Sequence, residues 1–272
     1  MESTKVLFIS QEITPYLPET QMSVICRNLP QGIQDRGKEI RTFMPRFGCI
    51  NERRNQLHEV IRLSGMNLII NDTDHPLIIK VASIQSARMQ VYFIDNEDYF
   101  GRKATLTDEK EEPFSDNDER TIFFTRGVIE TVRKLRWSPD IIHCHGWFTA
   151  LIPLLIKKAF RDDPLFVNSK VVYSIYADDF GGPLNKSFKN KVIIDGISKK
   201  DVSILETPDY LNINNLAIQF SDGVIIANES VNKQVEQSVI SSGKPYLPYV
   251  DGDSYIDEYA TFYEKILALQ SE

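Results

Sequence analysis

Two stretches of this sequence hold residue types capable of chemistry. In the first, Trp137-Ser138-Pro139-Asp140-Ile141-Ile142-His143-Cys144-His145-Gly146-Trp147, two imidazoles, a thiol and an indole crowd the end of an apolar run. The two-residue period of a strand puts His143 and His145 on one face. In open α/β sheets, ligands bind beyond the carboxyl ends of the strands, which makes His145 and Trp147 candidates for a substrate cleft. A packed strand end with internally satisfied histidines is the alternative, and a tryptophan such as Trp147 is more often a core residue than a sugar platform. A zinc ion would need three or four ligands, and of four histidines only His58 and His75 remain, so neither metal nor cofactor is expected.

The second stretch is Gln11-Glu12-Ile13-Thr14-Pro15-Tyr16-Leu17-Pro18-Glu19-Thr20-Gln21-Met22-Ser23, directly after the apolar residues 5–10. A strand that opens through a loop into a helix often holds a phosphate on the helix N-terminus. Such loops usually carry glycines and a lysine, whereas this one has Pro18 and Glu19 at its centre. Tyr16 could stack on a sugar or merely cover the strand end.

The elements that would position these residues follow from periodicity. Apolar runs of strand length recur at 6–9, 40–44, 77–83, 91–94, 141–144, 171–175 and 224–227. Many are unbroken rather than alternating, as in strands buried on both faces of a parallel sheet. Helices are expected at 24–34, at 118–135 with an acidic first turn, from about 148, at 217–220 and 230–240, and at 254–270 as a closing amphipathic helix. Strands alternating with helices predict one α/β domain over residues 1–272, with a doubly wound, mostly parallel sheet. Residues 51–75 interrupt the pattern and suggest a small antiparallel excursion. The polar, acidic segment 101–118 reads as a solvated or mobile loop, with a lid as the functional alternative. Arg53-Arg54 reads as solvated surface.

Composition narrows the classes. With 42% apolar and 25% charged residues the chain is ordinary globular material. A net charge of −7 gives no electrostatic support for nucleic-acid binding. Three scattered cysteines make no disulfide framework, and neither a secretory leader nor a membrane span is legible. The expectation is a cytoplasmic protein with no membrane partner.

Several motifs together resemble the bacterial glycogen synthases and plant starch synthases. Pro139-Asp140-Ile141-Ile142-His143-Cys144-His145-Gly146-Trp147-Phe148-Thr149-Ala150-Leu151-Ile152-Pro153 is similar to their P-D-[IV]-[IV]-H-x-H-D-W-x-[ST]-A-L-x-P segment. Lys5 to Ser10 with Glu12 and Pro15, Asn28-Leu29-Pro30, Arg36-Gly37 and Met44 to Gly48 match in the same order. So do Val91 to Phe100, Asp116-Asn117 with Glu119-Arg120 and Phe123-Phe124, and Ser221 to Asn228. The resemblance implies the N-terminal half of a GT-B fold, a Rossmann-like domain. The activity it implies is metal-independent transfer of glucose from ADP-glucose to an α-1,4-glucan. Family members run well past 400 residues, so the chain is expected to correspond to the first of two domains.

The departures from the pattern matter as much. The family's E-x-x-P-x-x-K-T-G-G-L aligns from Glu12, placing its lysine on Pro18, its threonine on Glu19 and its glycines on Thr20 and Gln21. A cation and an amide are lost, and a carboxylate stands where phosphates would approach. The aspartate of H-D-W becomes Gly146, and the histidine of T-[IV]-H-N becomes Tyr176, while Gly181-Gly182 resembles the family's glycine turn. These changes imply little or no transfer by the chain alone. The alternatives are a non-catalytic α-glucan-binding or regulatory module, or half of an enzyme completed by a second copy or another protein. The candidate substrate cleft comprises Tyr16, Glu19, His145, Trp147, Tyr176 and Gly182, with no catalytic residue assigned.

Overall fold

A computed structural model describes residues 3–269. The chain runs β1 (Lys5–Ser10), α1 (Gln21–Asp35), β2 (Glu39–Pro45), β3 (His58–Glu59), β4 (Met66–Ile70), β5 (Thr73–Ile84), β6 (Met89–Asp95) and α2 (Glu97–Phe100). It continues through α3 (Asn117–Leu135), β7 (Ile141–His145), α4 (Leu151–Leu154), β8 (Lys170–Ile175) and α5 (Phe188–Val192). The last elements are α6 (Tyr210–Phe220), β9 (Gly223–Ile226), α7 (Lys233–Ser241), β10 (Tyr246–Leu247) and α8 (Tyr255–Leu267).

The sheet order is β10-β9-β8-β7-β1-β2-β6-β5-β3, with β4 added to β5. From β10 to β6 every pairing is parallel, and β3, β4 and β6 pair antiparallel with β5. The chain winds outward from β1 through β2 and β6 on one side, and from β7 through β8, β9 and β10 on the other. The order therefore reverses between β1 and β7, and at such a switch point the loops diverge to leave a crevice beyond the strand ends. The doubly wound α/β expectation holds, and the excursion at 51–75 supplies β3 and β4, each antiparallel to β5.

Burial explains the unbroken apolar runs. Every residue of β7, β8 and β9 is buried, as are five of the six in β1. Helices cover both faces of these strands, so the chain cannot alternate apolar with polar side chains there.

One expectation needs correction and another is met in part. The helix anticipated from about 148 is broken into a 3₁₀ turn (Trp147–Thr149), the single turn α4 and a π turn (Leu155–Ala159). Pro153 has no amide to continue the ladder through that segment. Segment 101–118 is an exposed loop at 108–113, as expected, and its flanks are tied to the domain at several points. The buried Arg120 guanidinium donates to the carbonyls of Tyr99 and Thr105 and to Asn117 Oδ1, while Arg102 grips Asp116 at 2.6 Å. Phe114 lies under both guanidiniums, 4.2 Å from Arg102 and 5.3 Å from Arg120. Desolvation, with Arg102 nearby, lowers the Arg120 pKa to about 9. The closing helix is Tyr255–Leu267, and the end of the expected 254–270 span lies outside the described residues.

Candidate functional site

At the switch point the ends of β1, β7 and β8 lie side by side, where Ser10 pairs with His145 and His145 with Ser174 across the sheet. His143 and His145 share one face, as the strand period requires, with ring centroids 3.8 Å apart. Both are fully buried. His143 Nδ1 lies 2.5 Å from the Tyr263 hydroxyl and Nε2 lies 2.7 Å from Ser174 Oγ. His145 Nδ1 lies 2.8 Å from the Tyr176 hydroxyl. Tyr259 and Tyr263 of α8 pack on the His143 ring.

Burial disfavours the imidazolium form, so both pKa values fall: His143 well below its ordinary value, helped by His145, and His145 to about 3. Neutral, enclosed rings are supports for the strand end. His145 Nε2 and Ser10 Oγ are buried without a protein partner, a pair of loose ends in an otherwise satisfied network.

Beyond these strand ends the chain turns sharply at Gly146, whose φ of +81° suits glycine alone. A Cβ built there would lie 2.8 Å from Met22 Cε, 2.9 Å from Gln11 Oε1 and 3.0 Å from Asp178 Oδ2. The turn is held by side chains from neighbouring strand ends. Trp147 N–H donates to Asp178 Oδ2 at 3.1 Å, and Phe148 N–H donates to Gln11 Oε1 at 3.2 Å. The Tyr210 hydroxyl donates to Asp178 Oδ1 at 2.9 Å and to the Tyr176 carbonyl. Desolvation raises the Asp178 pKa to about 6, against the two donors that favour its ionised form. A carboxylate thus occupies the space beside residue 146, delivered from β8 rather than from β7.

The loop after β1 is closed in a different way. Thr20 caps α1: its hydroxyl accepts from Ser23 N–H at 3.0 Å, and Ser23 Oγ accepts from Thr20 N–H at 2.8 Å. The Thr20 hydroxyl donates to Glu12 at 2.6 Å, and Ser23 Oγ donates to the Pro18 carbonyl. This reciprocal capping takes the Ser23 amide, one of the first-turn donors of α1, together with the Thr20 amide before it. Glu19 is exposed beside it.

The six sequence-derived candidates therefore divide. Trp147 is buried at 2% exposure, with Phe180 at 4.4 Å and Phe148 at 5.4 Å. Tyr16 is buried edge-on against Phe93, ring centroids 4.9 Å apart. His145 and Tyr176 are brought together at the strand ends, and Glu19 and Gly182 lie at the surface. Gly182 is in the loop after β8, where Asp179 accepts from Gly181 N–H. Sequence reasoning missed the anchoring roles of Asp178 and Tyr210, the tyrosines of α8 and the cap on α1. Only the cap had a legible signal, Thr20-Gln21-Met22-Ser23, which has the spacing of a capping box.

Other motif residues serve packing. Arg46 meets the buried Asp95 at 2.7 Å, Asn96 caps α2, and Asp118 and Glu119 share Lys191 at 2.7 Å each. Among the described residues no three His, Cys, Asp or Glu side chains are grouped to hold a metal ion, and no helix is long and apolar enough to cross a membrane.

Comparison with known proteins agrees with this geometry. The starch synthase catalytic domain family matches residues 5–244. A glycogen synthase of Chlorobium luteolum is 39% identical over 173 residues, covering 63% of this chain and 35% of that protein. One from Chlorobaculum parvum is 31% identical over 243 residues, covering 88% and 48%. The catalytic domain of starch synthase IV from Arabidopsis thaliana, solved bound to ADP and acarbose, superposes with a TM-score of 0.73 at 17% identity, over 92% of this chain and 52% of that one. The chain thus spans about a third to a half of the length of the curated relatives it matches.

Proposed function

The chain belongs to the starch synthase catalytic domain family, and from that premise we propose that it is a glucosyltransferase-type domain facing an α-glucan, with little or no transfer of its own from ADP-glucose. The observation that carries this reading is the closed N-terminus of α1. The Thr20–Ser23 capping pair takes the Thr20 and Ser23 amides at the helix start, and Glu19 adds a negative charge beside them. Pro18, with no amide and no cation, completes the change. Gly146 and Tyr176 point the same way, since a carboxylate and an imidazole of the family pattern are replaced.

In this reading the six candidates take different parts. Glu19 and Gly182 border the crevice, while His145, Tyr176, Trp147 and Tyr16 hold its floor without touching a ligand. The acceptor is an α-glucan such as glycogen or a maltooligosaccharide, by analogy with the glycogen synthases. The test is an assay of the purified chain for glucose transfer from ADP-glucose to glycogen. Background rates are expected. Robust transfer would overturn the reading.

A further inference from the structure

A groove of about 710 Å³ runs along one whole face of α1, between that helix and the segment joining β10 to α8. On the helix side, lining positions Gln21, Val24, Asn28, Gln31 and Asp35 repeat at helical spacing. At ~1.5 Å per residue the groove is roughly 20 Å long, a shape for a chain rather than a single compact molecule. Its far end is closed where Gly32 meets Ile256 so tightly that a Cβ would lie 2.6 Å from Cγ2, and where Arg36 pairs with Asp257. At the near end Gln21 reaches the Tyr249 hydroxyl and Asn228.

The lining chemistry selects the occupant. Carboxamides of Gln21, Asn28 and Gln31 form one wall, and Tyr249, Tyr255 and Tyr259 form the other wall and the floor. A carboxamide both donates and accepts, which matches a hydroxyl. A tyrosine offers an apolar ring with a polar tip, which matches a sugar's C–H face and rim. Glu19, Asp35 and Asp253 add three negative charges, and among the described residues no lysine or arginine lines the groove. Arg27 is engaged with Gln31 and Ser86. An anion would meet these three carboxylates.

We propose that this groove binds a neutral oligosaccharide, with α1 as one wall and residues 249–259 as the other. The second wall lies beyond residues 5–244, so family membership does not assign it. The inference rests on the glucan reading above and gives that ligand a location.

The test is hydrogen exchange and calorimetry on the full 272-residue chain with maltoheptaose as probe. Protection confined to 21–35 and 249–259, with affinity at least tenfold weaker in Asn28→Trp and Tyr249→Ala, is the expected result. Asn28→Trp fills an exposed helix position, and Tyr249→Ala keeps the test alive if that variant fails to fold. Glucose 1-phosphate should bind nowhere in the groove. Maltoheptaose binding that protects other segments, or is unchanged in both variants, would overturn the groove and leave the glucan reading standing. No binding by the unaltered chain would overturn both.

Discussion

The strand-end crevice and the groove along α1 both include the segment Glu19–Gln21, yet they treat polar groups in opposite ways. In the crevice, imidazoles, hydroxyls and a carboxylate are turned on one another: His143 on Tyr263 and Ser174, His145 on Tyr176, Asp178 on Trp147 and Tyr210. In the groove, carboxamides and carboxylates such as Asn28, Asp35 and Asp253 are exposed. Residue type alone would assign function to the first region. Exposure favours the second as a ligand surface, because a group buried and paired inside the fold has little left to offer a ligand.

The largest effect expected from this contrast is on stability. Trp147→Ala removes a buried indole and should cost about 3–5 kcal/mol, while Tyr249→Ala in the groove should cost about 1 kcal/mol or less. Urea unfolding of both variants would break the comparison if the order were reversed. Next is Gly146→Asp, which returns the family's carboxylate to a position with φ of +81° and Asp178 already alongside. It should cost on the order of 2–3 kcal/mol and restore no ADP-glucose binding, as unfolding and calorimetry would show.

The pH dependence sharpens the picture further. His145 has a folded pKa near 3, below the ordinary value of about 6.5, so the unfolded chain binds the proton first. The stability it contributes is complete above about pH 6.5 and falls as the pH drops toward 3. His143 acts in the same direction. Asp178 opposes them: with a folded pKa near 6 against an ordinary value near 3.9, its cost at neutral pH is relieved as the pH falls through that window. Urea midpoints from pH 7 to pH 4 should therefore drop, and drop more steeply in Asp178→Asn. A shallower drop in that variant would contradict the assignment. The smallest effect is at the shared segment. Thr20→Ala should cost about 1 kcal/mol by loss of the cap, while Glu19 still repels a diphosphate.

How much of this was legible depends on how local the cause is. The strands at β1, β7, β8 and β9 were readable because burial on both faces demands unbroken apolar runs, and the shared face of His143 and His145 followed from a two-residue period. The partners that neutralise that pair were not readable, because Tyr263 is 120 residues away in sequence and reaches His143 only through the docking of α8. Segment 101–118 looked solvated because its composition is polar, while the residue that fixes it, Arg120, belongs to the next helix. The loop was legible as a departure from the pattern it resembles, with Pro18 and Glu19 where a lysine and a threonine were expected. That Thr20 and Ser23 close the helix end was also encoded locally, and the substitution pattern drew attention away from it.

The central claim is that the N-terminus of α1 has lost its capacity for a diphosphate. Calorimetric titration of the purified chain with ADP-glucose tests it most directly. The structure predicts no saturable heat at millimolar ligand. A saturable isotherm with the unaltered chain would contradict the account, because the nucleotide-sugar would then bind despite the cap and the Glu19 carboxylate.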